Sequence, residues 1–195
     1  MSIANRIRMG EVTLLSKNWG KLSKYQFDYR RNDGTWQAQT REVYDRGNGA
    51  TILLYDLARR TVVLTRQFRL PAFLNQHDEL LIETPAGLLD QASPEDRIRM
   101  ETEEETGYHI THVRKVFEAF MSPGSVSEKL YFFVAEYSAP DRKSVGGGLA
   151  HEGEEIDLFE PAIDEAMAMV ARGEIVDGKT IMLLQHAALT VFARA

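Results

Sequence analysis

Between Pro85 and Tyr108 the chain reads PAGLLDQASPEDRIRMETEEETGY, a stretch that leaves the backbone little choice. Pro85-Ala86-Gly87 ends an extended run over residues 79–84. Ser93 and Pro94 supply an N-cap and a proline at the first helical position, and Asp96 stands in weakly for the capping-box Glu. Gly107 then provides a stop. Residues 95–105 of this helix carry six acids and two arginines. At about 100° per residue, Glu101, Glu104 and Glu105 share one face, while Glu103 points elsewhere. Like charges at these spacings cost roughly 0.2–0.5 kcal/mol per pair, and turning them into a groove costs more through desolvation. A solvated helix face would tolerate such a triplet. Its setting behind a strand, a Pro-Ala-Gly turn and a capped start favours a built site in which something cationic offsets the charge.

The chain has no cysteine, which excludes disulfide frameworks, zinc–thiolate clusters, iron–sulfur centres and thiol nucleophiles. Oxygen and imidazole remain as ligands, so an expected metal is hard: magnesium or manganese. The net charge of −6 argues against a nucleic-acid backbone binder. That charge is local, however: residues 95–105 and 152–157 each carry −4, and the rest of the 195 residues sum to +2. This distribution suits a cation site through which an anionic diphosphate is bound. No stretch approaches the roughly 18 apolar residues of a membrane span and no apolar leader opens the chain, so the expectation is a cytoplasmic protein without a membrane partner.

Around the acidic helix the pattern predicts an α/β chain of one domain. Residues 1–46 form an N-terminal β-hairpin extension with an aromatic stripe (Tyr25, Phe27, Tyr29) and turn chemistry at Asn32-Asp33-Gly34, and residues 47–195 form the core. Apolar runs at 50–55 and 61–65 read as a buried antiparallel pair. Further strands are expected at 113–119 and 130–137, and helices at 161–172 and 179–194. Residues 138–155, with Gly146-Gly147-Gly148 and the cluster His151-Glu152-Gly153-Glu154-Glu155, form a long loop of the kind that is usually mobile or functional. The other histidines, His77, His109, His112 and His186, are scattered.

Residues 87–108 resemble a Nudix box, whose pattern is G-x5-E-x7-R-E-U-x-E-E-x-G-U with U aliphatic. Gly87, Glu101, Glu104, Glu105 and Gly107 match. Ser93 replaces the first Glu, the following spacer is one residue short, Met100 replaces the Arg, and Thr102 replaces the aliphatic. The resemblance runs through REVYDRGNGATILLYD, LTRQFRLP, PAGLLD, FEAFMSPGSVSE and GEIVDGKT. It is nearest the nucleoside-diphosphate-sugar branch, the GDP-mannose pyrophosphatases above all, with the ADP-ribose pyrophosphatases as near relatives.

The resemblance implies an α/β/α sandwich around a mixed sheet and hydrolysis of a diphosphate clamped by divalent cations. Glu101 and Glu105 would be principal metal ligands, helped by Glu104, Glu154 and the carbonyl of Ala86. Glu154, or second Glu152, would act as general base from the Gly-rich loop, which would close as a lid. Arg69 would contact phosphate or sugar, although it and Arg66 would also suit a solvated strand end. Thr40, Arg41, Glu42, Gly87, Glu128, Gly153 and Lys179 would complete the nucleotide-sugar site. Trp19 and Trp36 would stack on a base or lie in an interface, since the N-terminal strands of this branch pack across a homodimer.

Ser93 has a sufficient reason in capping. Met100 removes the arginine that orients the glutamates, and Arg97 and Arg99 are the nearby substitutes, Arg99 about 100° around the helix. The expected activity is cleavage of GDP-mannose to GMP and mannose 1-phosphate. The alternatives are an ADP-ribose pyrophosphatase releasing AMP and ribose 5-phosphate, and a nucleotide-sugar binding module without turnover.

Overall fold

Alternating strands, glycine turns and the capped acidic helix arrange themselves as a mixed α/β chain in the computed structural model, which describes residues 2–149, 151 and 153–194. Contacts divide it into two units, Met1–Asn48 with Phe120–Lys129, and Gly49–Ala119 with Leu130–Ala195.

The first unit is an antiparallel meander of β1 (Ile7–Lys17), β2 (Lys21–Arg30) and β3 (Trp36–Asp45). The predicted hairpin is β2 with β3, in unbroken register from Lys21 opposite Asp45 to Arg30 opposite Trp36. Its turn uses the expected chemistry: Asp33 accepts from the Thr35 N–H and hydroxyl at 2.9 and 2.6 Å, and Gly34 sits at φ +87°. The extension has one more strand than the hairpin reading gave it. Register breaks between Met9 and Val12 and between Leu14 and Ser16 interrupt the alternation of β1, which is the signal that pattern reading relies on. Met9, Val12, Leu14, Leu15 and Trp19 of this unit are exposed.

In the second unit β4 (Gly49–Asp56) and β5 (Thr61–Gln67) form the expected antiparallel pair. The single-turn α1 (Leu70–Leu74) leads to β6 (Leu81–Glu83) and β7 (Ala86–Leu88), then to α2 (Pro94–Thr106). There follow β8 (Arg114–Phe120), β9 (Lys129–Glu136), β10 (Asp157–Phe159), α3 (Ile163–Arg172) and α4 (Gly178–His186). The sheet order is β10-β5-β4-β9-β8, with β6 beside β5 and β7 beside β4. β4 and β9 run parallel, Gly49 opposite Leu130 through Tyr55 opposite Glu136, whereas β4 with β5 and β7 is antiparallel, so the sheet is mixed. The last helix is shorter than predicted. It gives way at Ala187–Val191 to a π turn, where Thr190 donates its hydroxyl to the carbonyl of His186 at 2.7 Å.

Strand β4 is buried on both faces and sorts its residues by parity. Ala50, Ile52 and Leu54 pack with Ile98 of α2 and with Tyr108, Ile110, Phe133 and Tyr137. Thr51 lies on the opposite face, where it meets the Thr84 hydroxyl at 2.9 Å, and Thr84 in turn reaches Thr180 of α4. The two faces of the sheet are thereby covered by different helices.

Helix α2 starts and stops as its sequence dictates. The Ser93 hydroxyl accepts the Asp96 N–H at 3.2 Å, and Gly107 takes the left-handed conformation at φ 75°. An N-cap serine is worth about 1 kcal/mol over alanine. Ser93→Ala is therefore expected to lower Tm by about 2–4 °C in a chain of this size, with Ser93→Asp close to wild type, as scanning calorimetry would show.

Candidate active site

The face that α2 buries comprises Ile98, Glu101, Thr102, Glu105 and Thr106, and only Ile98 is apolar. The two threonines are self-satisfied: Thr102 donates to the Ile98 carbonyl at 2.6 Å and Thr106 to the Thr102 carbonyl at 2.5 Å. Thr102 thus sits where the Nudix pattern has an aliphatic residue without leaving a buried hydroxyl unpaired. The two carboxylates are a different matter.

Glu101 lies against β7 so closely that a Cβ on Gly87 would stand 1.8 Å from its Oε1. Only glycine leaves room for that carboxylate. Arg97, one turn earlier, contacts Glu101 Oε1 at 2.5 Å. Met100 is half exposed, and Arg99 is engaged by Asp96 and the Thr111 carbonyl. Of the two arginines placed to replace the missing one, the structure uses Arg97. Burial pushes the Glu101 carboxyl up to about 7; Arg97 pulls it down, and the charges of Glu104 and Glu154 push it further up.

Glu105 is buried more completely. Its Oε1 receives the Ala86 N–H at a long 3.5 Å, and its Oε2 is buried with no partner. Burial raises its pKa well above the ordinary carboxyl range, and the charges of Glu101 and Glu154 add to the shift. Ala86 therefore meets the carboxylate through its N–H.

Glu154 comes from the Gly-rich loop, half-buried, with its Oε2 accepting the Leu149 N–H at 2.9 Å. The loop is docked on the C-terminal end of α2. Gly147 N–H donates to the Glu105 carbonyl at 2.8 Å and Gly148 N–H to the Glu104 carbonyl at 3.2 Å. Gly146, Gly147 and Gly148 all have positive φ, a path that side-chain-bearing residues resist. Both loop stems are fixed near Tyr108: Lys143 N–H reaches the Gly107 carbonyl at 2.7 Å, and the Tyr108 hydroxyl donates to Glu160 at 2.5 Å. Tyr137 and Arg59 reach the same carboxylate, each at 3.0 Å. Burial, with Glu160 beside it, pushes the Tyr108 hydroxyl up to about 12.

A third buried carboxylate, Glu83 at the end of β6, was not among the residues singled out by motif. Its side chain accepts Arg69 Nε at 2.7 Å and also pairs with Lys179, which contacts Asp177 at 3.0 Å. Lys179 is buried and committed to protein carboxylates. Arg66 lies over the Phe159 ring at 4.0 Å. Asp177 is the N-cap of α4, accepting the Thr180 N–H at 3.0 Å, a role that the Asp-Gly-Lys-Thr spacing does signal.

The structure therefore brings Glu101, Glu105, Ala86 and Gly87 together and sets Glu154 within electrostatic reach of both carboxylates. Glu104 is half-buried and Gly153 exposed, at φ +78°. Glu152 lies outside the described residues. Trp19, Thr40, Arg41, Glu42 and Glu128 belong to the first unit. There Trp19 is 78% exposed under the Arg46 guanidinium, and Arg41 is turned onto the Thr40 carbonyl and Gln39.

Among the described residues no three acidic or histidine side chains converge tightly enough to cage an ion as they stand. The chemistry of the donor set nonetheless fits a hard divalent cation. Oxygen is the only donor type, Glu105 Oε2 is orphaned, and both carboxyls are raised by burial and by neighbouring glutamates, Glu104 and Glu154 at Glu101 and Glu101 and Glu154 at Glu105, a setting that a cation would relieve.

A glycine-packed, arginine-held pair of glutamates on a capped helix, beside a mixed sheet covered on both faces, is the setting that the resemblance of residues 87–108 to a Nudix box implies. Residues 6–44 match the model of the GDP-mannose pyrophosphatase NudK N-terminal domain. The chain is 53% identical over 186 residues to a GDP-mannose pyrophosphatase of Pectobacterium atrosepticum, covering 95% of both chains. It is 55% identical over 183 residues to one of Yersinia pestis, covering 93% of this chain and 91% of the other. In fold it is similar to the crystal structure of an ADP compounds hydrolase, at TM-score 0.73 and 14% identity, over 97% of this chain and 96% of that one. The chain belongs to the GDP-mannose pyrophosphatase family of Nudix hydrolases.

Carboxyls whose folded pKa is raised contribute stability that is intact below the ordinary carboxyl range and is lost as pH rises through the folded value. For Glu101 that value is about 7, and Glu105, raised as well, adds to the loss in the same direction. Chelated protein should therefore lose Tm between about pH 5.5 and 8, and magnesium should restore it most at the upper end. A Tm flat across that window and indifferent to magnesium would remove both residues from a cation site.

Proposed function

We propose that this chain is a divalent-cation-dependent pyrophosphohydrolase that adds water across the diphosphate of GDP-mannose, yielding GMP and mannose 1-phosphate. The observation that carries the reading is the buried, cation-seeking Glu101–Glu105 pair in a chain more than half identical, over nearly its whole length, to GDP-mannose pyrophosphatases. Glu101 and Glu105 would hold the cation, magnesium or manganese, with Glu104, Glu154 and the Ala86 carbonyl completing the set. When bound, it supplies charge neutralisation at the phosphate oxygens and lowers the pKa of water.

The remaining work falls to the chain's own groups. Arg97 steadies Glu101 by a charge-assisted contact, taking the part that Met100 leaves vacant. Glu154, or Glu152 beside it, takes the proton of the attacking water. Arg69 grips a phosphate through its terminal nitrogens. Gly87 and Gly153 contact the nucleotide sugar, with Lys179 behind them held by Glu83 and Asp177; Trp19, Thr40, Arg41, Glu42 and Glu128 are the first unit's own candidate contacts. The exposed apolar residues of β1 support packing of the N-terminal sheet across a homodimer in the cytoplasm, residues 1–46 serving as the dimer-forming extension and 47–195 as the hydrolase core.

ADP-ribose is the second substrate to test, because the fold likeness is to an ADP compounds hydrolase. Release of GMP from GDP-mannose and of AMP from ADP-ribose, measured with magnesium and with chelator, decides between them. The expected result is magnesium-dependent hydrolysis with the higher kcat/KM on GDP-mannose; a preference for ADP-ribose would overturn the choice. Glu105→Gln is expected to lower kcat by at least about 100-fold, as for loss of one strong electrostatic contributor, with the fold intact by circular dichroism.

A further inference from the structure

Glu83 is the last residue of β6, opposite Thr65 of β5, and its side chain is 4% exposed. Each of its oxygens is claimed by a different cation: Oε2 by Arg69 Nε at 2.7 Å and Oε1 by Lys179 Nζ. A salt bridge that merely tied β6 to α4 would need only one of them. That tie exists already, since the Thr84 N–H reaches the Thr180 hydroxyl at 2.8 Å one residue further along both elements. Lys179 is also neutralised independently, by Asp177 at 3.0 Å. What the second oxygen does is hold Arg69.

The grip on Arg69 is informative because of which nitrogen it uses. Guanidinium is a rigid plane with five donors, and Glu83 takes Nε. The two terminal nitrogens make no hydrogen bond or ion pair to a described residue, and the side chain remains 39% exposed. The charges of Glu105 and Asp177 both reach this guanidinium, so Arg69 lies within electrostatic range of one buried carboxyl of α2. A planar fork fixed at one corner, with its bidentate edge open, is laid out for phosphate oxygens.

We propose that Glu83 is a positioning residue for the diphosphate: it fixes Arg69 through Nε so that the terminal nitrogens face the substrate, while Lys179, locked by Asp177, balances its other oxygen. The proposal rests on the reading above that Arg69 contacts phosphate. It makes Lys179 part of the support for that contact.

The test uses the full chain and inorganic pyrophosphate as probe, by calorimetry in magnesium buffer, so that binding is read without turnover. Glu83→Gln is expected to weaken pyrophosphate binding about tenfold, in the range of coupling between residues that share a contact. It should raise KM for GDP-mannose more than it lowers kcat and leave the magnesium activation midpoint unmoved. Arg69→Lys keeps the charge beside Glu83, and with it the neutralisation of that buried carboxylate, but loses the Nε grip and the fork; it should weaken binding similarly. Glu83→Gln combined with Arg69→Ala should be no worse than Arg69→Ala alone. Additive losses, a shifted magnesium midpoint with unchanged pyrophosphate affinity, or wild-type binding by Arg69→Lys would each overturn the proposal, the last even if Glu83→Gln does not fold. If the pyrophosphate-binding responses hold but GDP-mannose is not hydrolysed, the substrate reading fails and the positioning role stands.

Discussion

Burying Glu105 is the constraint around which the second unit is arranged. A helix face that packs on a sheet is ordinarily apolar, yet α2 turns Glu101 and Glu105 inward beside a single isoleucine. The cost is contained in several ways. Gly87 clears space for one carboxylate, the Ala86 N–H approaches the other, Arg97 pairs with Glu101, and two threonines close their own hydrogen bonds. Glu105 Oε2 is left over. A buried anion without a partner is among the most expensive features a fold can carry, and the raised pKa of Glu105 is the form that cost takes here.

Much of this was legible in the primary structure because helix boundaries are local. Ser93, Pro94 and Gly107 act within a turn of themselves, so the span of α2 and the shared face of Glu101 and Glu105 follow from spacing. The pair β4–β5 and the aromatic-rich β9 were equally readable from apolar runs. Strand β1 was not, because its register breaks destroy the period that identifies a strand. Nor was α1, which lasts a single turn between two loops.

Glu83 illustrates the other limit. Nothing local marks it: it is one acid at the end of a three-residue strand, and it matters because Arg69, 14 residues before it in sequence, and Lys179, 96 after it, meet there. Arg97 lies between these cases. Its i, i+4 relation to Glu101 is visible in the sequence, but the choice of Arg97 over Arg99 depends on Asp96 and the Thr111 carbonyl occupying the latter. Tertiary neighbours select among candidates that spacing can only nominate.

The docking of the Gly-rich loop bears on how this scaffold tolerates change in length. Its two stems are fastened beside one residue, through the Lys143–Gly107 backbone contact and the Tyr108–Glu160 hydrogen bond, and its glycine run is hung from the last carbonyls of α2. Insertions or deletions within 143–148 would pull those backbone contacts out of step, and the residues that follow are fastened in turn, the Glu154 N–H to the Leu149 carbonyl at 3.3 Å and the Ile156 N–H to the Gly147 carbonyl at 3.2 Å. A change in loop length is therefore felt at Glu154, whose place these contacts set, while the carboxylates of α2 are carried by the helix itself.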